Sequence, residues 1–366
     1  MKNHYYLYNN RDIGQSYRNK NYYDEVKSKV ISNGIILPLK DKKGGVVYSD
    51  GKFVKESFHD GEWFKYGGNY PFSTVDIDFI DRKVVYLGVF IKQWGHYLLD
   101  SLSRCWILDK INLKYMKFAF ISNQDKISGN YLKVMDLLGI KKDDLLIIKK
   151  PTKFQEVIIP DMCVSPNRGY TKEYPKIFKR IVNNANIRKY RVPDKIYLSR
   201  TKLKIAQKKE FGEKIIEANF KANGYTVMYP ENMTLLEQIA IFNNSREIVC
   251  LNGSIPFGII FAGSSLDLII LNKTSMPHFN LFELIDASSI FPTFIDCYYE
   301  PFQKLPLNLG EGPFLLIFSK KLKCFFNERK LKYNLFCRAN YFSILNRYLY
   351  ACLKAYVKIL YRKLKS

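Results

Sequence analysis

The feature that most restricts this fold is the regular alternation of short apolar segments with amphipathic stretches over the second half of the chain. Lys195–Ser199, Thr226–Tyr229, Glu247–Leu251, Leu266–Leu271 and Thr293–Tyr298 are rich in Ile, Val, Leu and Tyr and read as strands. Between them, residues 211–222, 234–243, 255–262 and 280–287 carry apolar side chains at helical spacing. Near-continuous apolar strands separated by helices are the pattern of a parallel sheet whose helices cross over its faces. The first half repeats the pattern less cleanly. Strands at Val84–Phe90, Phe118–Ser122, Leu145–Lys149 and Val157–Ile159 enclose helices at Gly95–Lys110 and Asn130–Leu138.

At 366 residues with 47% apolar content, the chain is long enough for two cores. Residues 1–75 hold the turn signals Lys43-Gly44-Gly45, Asp50-Gly51, Asp60-Gly61 and Gly67-Gly68, and read as a β-rich lead-in. Pro160, Pro166, Gly169, Pro175 and Pro193 interrupt the pattern and place a hinge over residues 165–193. The expected layout is therefore a lead-in (1–75), a Rossmann-like domain (76–185), a second Rossmann-like domain (186–318) and a tail (319–366). Two doubly wound sheets joined by a hinge would face a cleft at their carboxyl ends, where open α/β sheets bind ligands.

The net charge of +24 is unevenly placed. Residues 319–366 hold thirteen Lys and Arg against the single acid Glu328, half of the whole excess. Arg347, Lys354, Lys358, Arg362 and Lys365 recur at steps of seven, four, four and three, which gathers them on one side of a helix rich in Tyr, Leu and Ile. No uncharged apolar run there is long enough to span a bilayer, so the tail is expected to lie on an anionic membrane surface rather than cross it. Packing against its own protein is the plainer alternative, and nucleic acid is not the expected partner. Seven scattered cysteines form no C-x-x-C pair and indicate neither a disulfide framework nor a zinc site. The amino terminus lacks the apolar core of a secretion signal, which points to a cytoplasmic, membrane-peripheral protein.

Two phrases carry candidate chemistry. In Trp94-Gly95-His96-Tyr97-Leu98-Leu99-Asp100, His96 and Asp100 stand one helical turn apart, with Arg104 a further turn along. A carboxylate beside an imidazole fixes its tautomer and stabilises its charged form, which makes a general base; Asp100 acting alone is one alternative, and a capping histidine with a helix-surface Asp100–Arg104 pair is the plainer one. In Cys250-Leu251-Asn252-Gly253-Ser254-Ile255-Pro256, a strand passes through a small-residue turn into a helix with proline in its first turn. Backbone N–H groups at such a turn suit an anion, though a glycine there also serves turn geometry alone. Ser199 and Arg200 close another strand, where an arginine can clamp a phosphate, with an ordinary surface arginine as the alternative. Glu237 and Gln238 could hold sugar hydroxyls or simply face solvent. Asp76-Ile77-Asp78 is a weak metal pattern, so a divalent ion is possible but no cofactor is expected to be required. There is no G-x-G-x-x-G, Walker loop or G-x-S-x-G.

Taken in order, these phrases resemble the family 61 glycosyltransferases over roughly residues 90–300. The G-H-[WY]-L-L-D-x-L-P-R phrase is matched by Gly95 to Arg104, with Ser103 in place of proline; the S-R strand end by Ser199-Arg200. The G-[FY]-x-V-x-x-P-E and L-x-E-Q phrases are matched by Gly224 to Glu231 and Leu235 to Gln238. The H-G-[AS] phrase departs: Asn252 replaces its histidine and Gly258 a following asparagine, although Gly253, Ser254 and Phe261 remain, and Lys209-Glu210 replaces an N-E pair. The resemblance implies a GT-B-like architecture and an inverting transfer from a nucleotide sugar, usually a UDP-sugar, without a strict metal requirement. On that basis His96, Asp100 and Arg104 lie on the acceptor side, with the base in the first domain. Ser199, Arg200, Glu237, Gln238, Asn252, Gly253 and Ser254 contact the donor in the second. A lipid-linked or growing capsular or lipopolysaccharide glycan would be the acceptor. The departures leave a second reading, a catalytically degenerate scaffold or regulator of polysaccharide assembly.

Overall fold

The computed structural model describes residues 25–61, 64–73, 75–165, 169–335 and 341–365. Residues 1–24 of the lead-in and Pro166 of the expected hinge lie outside them. The protein is a mixed α/β chain that divides after Asn186 into two units.

The first unit is built on strands β1 (Ser28–Ser32), β2 (Ile35–Lys40), β3 (Lys43–Val47), β4 (His59–Asp60), β5 (Lys65–Tyr66), β6 (Asp78–Val89), β7 (Met116–Ile121), β8 (Leu145–Ile148), β9 (Thr152–Pro160), β10 (Val164–Ser165) and β11 (Gly169–Tyr170). Seven of them form one sheet in the order β3-β2-β9-β6-β7-β8, with β1 also pairing β9. β6 to β9 are mutually parallel where they pair, and helix α1 (Asn130–Leu137) connects β7 to β8. The sheet is mixed, not all parallel as expected. The lead-in causes this: β1 and β2 run antiparallel along β9 as one strand interrupted at Asn33-Gly34. Asp41 and Lys42, both with positive φ, then turn β2 tightly into antiparallel β3. The second half of β6, Val84–Val89, is wholly buried between β7 and β9. It anchors a core that includes Ile36, Val46, Tyr86, Ile121, Phe154 and Val157.

The single helix expected over Gly95–Lys110 is three short pieces. Trp94–His96 is α-helical, Tyr97–Ser101 widens to a π turn closed by Leu102 N–H on Tyr97 O at 3.1 Å, and Cys105–Asp109 tightens to 3-10. Serine hydroxyls compete with the helical ladder here. Ser101 Oγ donates to Val89 O (2.9 Å) and accepts from Ile91 N–H (3.0 Å), and Ser103 Oγ donates to Asp100 O (2.6 Å). The segment is thereby tied to the end of β6. Helix α2 (Glu173–Asn184) completes the unit.

The second unit holds β12 (Lys195–Leu198), β13 (Glu210–Phe211), β14 (Thr226–Met228), β15 (Glu247–Leu251), β16 (Asp267–Asn272), β17 (Thr293–Asp296), β18 (Tyr298–Tyr299) and β19 (Phe314–Leu316). Five of these make an all-parallel sheet in the order β14-β12-β15-β16-β17. The chain therefore runs outward from β12 to β14, then back across to β15. The order reverses between β12 and β15, and the carboxyl ends of those two strands form the switch point at which open sheets hold ligands. Helices α3 (Glu213–Ala222), α4 (Leu235–Asn244), α5 (Phe279–Ser288) and α6 (Lys320–Glu328) belong to the same unit. Tyr197, Phe220, Val249, Ile269, Ile295 and Phe326 share its main core. A second small sheet, β13-β19-β18, sets Glu210 beside Phe314.

Helix α7 (Tyr341–Lys365) is 25 residues long and packs Tyr348, Cys352 and Ala355 against Phe211 and Leu305. Its opposite side is apolar and exposed: Phe342, Leu345, Leu349, Leu353, Val357, Leu360 and Leu364 recur at steps of three and four. Arg347, Lys354, Lys358 and Arg362 run along one flank, at steps of seven, four and four. Among the described residues no helix is long and apolar enough to cross a membrane.

Candidate active site residues in the two units

In the first unit the π turn leaves His96 and Asp100 on one side of the chain, both buried. His96 Nδ1 lies 2.8 Å from Asp100 Oδ2. An ionised carboxylate only accepts hydrogen bonds, so Nδ1 carries the proton and Nε2 is the basic nitrogen. Phe64 meets the imidazole edge-on at 4.9 Å. Gly61 is required by close approach, since a Cβ there would stand 2.6 Å from Asp100 Oδ1.

A third residue of this cluster was not singled out from the sequence. His59 Nε2 is 3.8 Å from Asp100 Oδ1 and has no hydrogen-bond partner among the described residues. Burial pushes its pKa down to about 4, against the attraction of Asp100, so it is neutral at pH 7. It comes from β4, a two-residue strand in a stretch with no periodicity to point to it.

Arg104 was expected on the acceptor side with His96 and Asp100, and the structure gives it other partners. It is only 1% exposed, and its guanidinium donates to Phe58 O at 2.8 Å and to Pro160 O. Those bonds tie the end of β9 to the segment ahead of β4, which makes Arg104 a clamp of the fold.

In the second unit, Arg200 follows β12 and is nearly buried. Its Nε donates to Glu210 Oε2 at 2.8 Å, and Lys273 Nζ donates to Glu210 Oε1 at the same distance. Burial alone would raise the Glu210 carboxyl, but Lys273 and Arg200 outweigh it and hold its pKa below the usual range. Burial likewise lowers the Lys273 ammonium against the pull of Glu210. Two cations on one carboxylate leave a net positive charge, and both heads converge on the turn. A Cβ at Gly253 would be 3.7 Å from Lys273 Nζ and 3.9 Å from Arg200 Nη1.

The turn itself differs from the helix start expected there. Residues Ile255–Phe261 form a seven-residue 3-10 helix, too short for much of a dipole, and Ser254 precedes it without a side-chain cap bond. Positive charge at Asn252 to Ser254 therefore comes from the side chains of Arg200 and Lys273. Gly258 has a steric reason: a Cβ there would lie 2.2 Å from Phe242 Cε2, so the ring of α4 fills the space of any larger residue. Lys209 donates to Gly310 O.

The remaining expected donor residues are occupied by local structure. Ser199 Oγ donates to Glu217 Oε2 at 2.5 Å and accepts from Thr201 N–H at 3.0 Å. Glu237 closes a capping box with Thr234 at the start of α4, and Gln238 donates to the carbonyls of Pro230 and Met233. Glu213, not anticipated, is buried below Arg200 and accepts its backbone N–H at 3.0 Å and the Tyr197 hydroxyl at 3.3 Å. Burial, reinforced by Glu210 and Glu217, pushes its pKa up to about 8 although the Arg200 bond works the other way. Arg200, Glu210 and Glu213, with Arg347 of α7, line a pocket of about 180 Å³.

Residues 94–269 match the family model described as Glycosyltransferase 61. The match covers a little under half of the chain and makes those residues similar to the family 61 glycosyltransferases. No curated protein matches the chain. The family 61 span takes in His96, Asp100, Arg200, Glu210 and Gly253 but ends before Asn272, Lys273 and His278 and begins after His59. Only the tertiary structure joins those four to the matched residues.

Proposed function

We propose that this protein is a family 61 glycosyltransferase that transfers a sugar, with inversion, from a nucleoside-diphosphate donor to a hydroxyl of a lipid-linked glycan, and that its two units divide the chemistry. The observation that carries the reading is the convergence of Arg200 and Lys273 on Gly253 at the carboxyl ends of the parallel strands, beside the switch point. A diphosphate is the ligand such a site suits, because two fixed cations answer the charge that grows on the leaving group in the transition state. His96, held by Asp100, takes the proton of the attacking hydroxyl. Ser199, Glu237 and Gln238 then serve the fold around the donor rather than the donor.

Titration calorimetry with UDP and UDP-sugars tests this. Arg200→Ala or Lys273→Ala is expected to weaken UDP binding by about tenfold or more, since one charge-assisted contact is worth about 1.5–3 kcal/mol. A wild-type chain that binds no nucleoside diphosphate would overturn the reading in favour of a non-catalytic scaffold.

The exposed stripe of α7 supports docking on an anionic lipid surface at the inner face of the cell membrane. Seven apolar side chains would enter the interface while the flank of Arg347, Lys354, Lys358 and Arg362 meets headgroups. Flotation with vesicles of mixed zwitterionic and anionic lipid should carry the wild type, and Leu349→Glu/Leu353→Glu/Val357→Glu should stay behind. Equal flotation of the two would exclude α7 as the docking face.

A further inference from the structure

Polar side chains at three neighbouring strand ends of the second unit form one directed hydrogen-bond chain. Asp296 closes β17, Asn272 closes β16 and Asn252 follows β15. Asn272 Nδ2 donates to Asp296 Oδ1 at 3.0 Å, and Asn252 Nδ2 donates to Asn272 Oδ1 at 3.0 Å. His278 Nδ1 lies 2.9 Å from Asn252 Oδ1. Burial raises the Asp296 carboxyl, while the Asn272 hydrogen bond and Lys321 Nζ, 3.4 Å from its second oxygen, work the other way toward the charged, acceptor-only form. The direction of every amide follows from that carboxylate: each Nδ2 faces Asp296 and each Oδ1 faces away. Asn252 thus offers His278 an acceptor, so Nδ1 carries the proton and Nε2 is the nitrogen that gains or loses the second one. Phe257 meets the ring at 5.2 Å and 86° and holds its plane.

Asn252 is the neighbour of Gly253, on which Arg200 and Lys273 converge. In the phrase this turn resembles, an imidazole belongs at position 252 itself. Here the imidazole arrives from position 278, beyond the matched span, and is bonded to the amide that stands in its place.

We infer that His278 is a donor-binding residue whose imidazolium, protonated at Nε2 as well as Nδ1, hydrogen-bonds through Nε2–H to the diphosphate of the nucleotide sugar beside Gly253. The inference rests on the donor reading proposed above. In the transfer, the acceptor oxygen forms its bond to the anomeric carbon as its proton passes to His96 Nε2. The bond from the anomeric carbon to the phosphate oxygen breaks, and its electron pair leaves on the diphosphate. The His278 imidazolium keeps both protons throughout and donates a hydrogen bond from Nε2–H to that oxygen-rich group, and its charge joins those of Arg200 and Lys273 against the diphosphate.

Calorimetry of UDP, GDP and ADP against the full chain tests this with a split between the two ring nitrogens. His278→Asn places an amide donor where Nδ1 stands, preserving the bond to Asn252 while deleting Nε2. It should lose about tenfold or more in affinity for whichever diphosphate the wild type binds, with the melting temperature unchanged. His278→Gln, which returns a donor near Nε2, should lose less. The double variant His278→Ala/Asn252→His should regain most of the affinity that His278→Ala loses, and it decides the matter if His278→Asn folds poorly. Wild-type affinity in His278→Asn, or no recovery in the double variant, would overturn the inference. If Arg200→Ala still loses binding in that case, the donor reading stands without His278; if the wild type binds no diphosphate, both fall.

Discussion

The two clusters are assembled in opposite ways. In the first unit the proposed catalytic pair comes from five consecutive positions: His96 and Asp100 meet in an irregular helical turn that the Ser101 hydroxyl anchors to β6 and the Ser103 hydroxyl bonds from within. In the second, Arg200, Glu210, Gly253 and Lys273 follow or occupy four separate strands, and neither cation is placed by its own neighbours in sequence. A local pair tolerates change elsewhere but not within its turn. A dispersed cluster depends on the register of the whole sheet, and a buried carboxylate between two cations is what fixes it.

The largest expected effect tests the local half. His96→Ala should lower kcat by about 10²–10⁴ with UDP affinity unchanged, as general-base removal does. Asp100→Asn should fall in the same direction, because an amide can present Nδ2 to the ring and reverse its tautomer. Loss of UDP binding in His96→Ala would show that the two clusters do not divide the chemistry.

The dispersed half is sharpened by restoring what the family phrase has. Gly258→Asn should destabilise the protein by about 1–3 kcal/mol through overpacking against Phe242. Gly258→Asn/Phe242→Ala should not add the two single costs, since each change vacates or fills the same space. Chemical denaturation of the four proteins reads this, and strict additivity would refute the steric account.

Titration should separate the clusters by sign. His59 is held neutral by burial, with its pKa lowered to about 4, so its contribution is present above about 6.5 and fades as pH falls toward 4. Glu213 is raised to about 8, so its contribution is present below about 4.5 and fades as pH rises through 8. Glu213→Gln should therefore gain stability relative to wild type at pH 8, by on the order of 1–3 kcal/mol, and much less at pH 5. Equal gains at both pH values would mean that the carboxyl is not held protonated.

The smallest effect concerns a residue that a motif alone would put at the donor. Glu237→Ala should cost about 1 kcal/mol of stability as a capping box is lost, with UDP affinity unchanged. A drop in affinity would return Glu237 to the donor site.

The sequence by itself determined the alternation of β12 to β17 with their helices, because strands buried on both faces must be apolar throughout and helices must repeat at 3.6 residues. It also determined the His96–Asp100 pair, since i and i+4 share a face in any helical turn. It missed the mixed first sheet, whose lead-in strands are short and bulged, and it drew one helix where serine hydroxyls break the ladder into three. Only the tertiary structure decided which cations and imidazoles complete each cluster. Lys273 and His278 reach Gly253 and Asn252, and His59 reaches Asp100, through strand order and burial, which are properties of packing and leave no periodic trace in the chain.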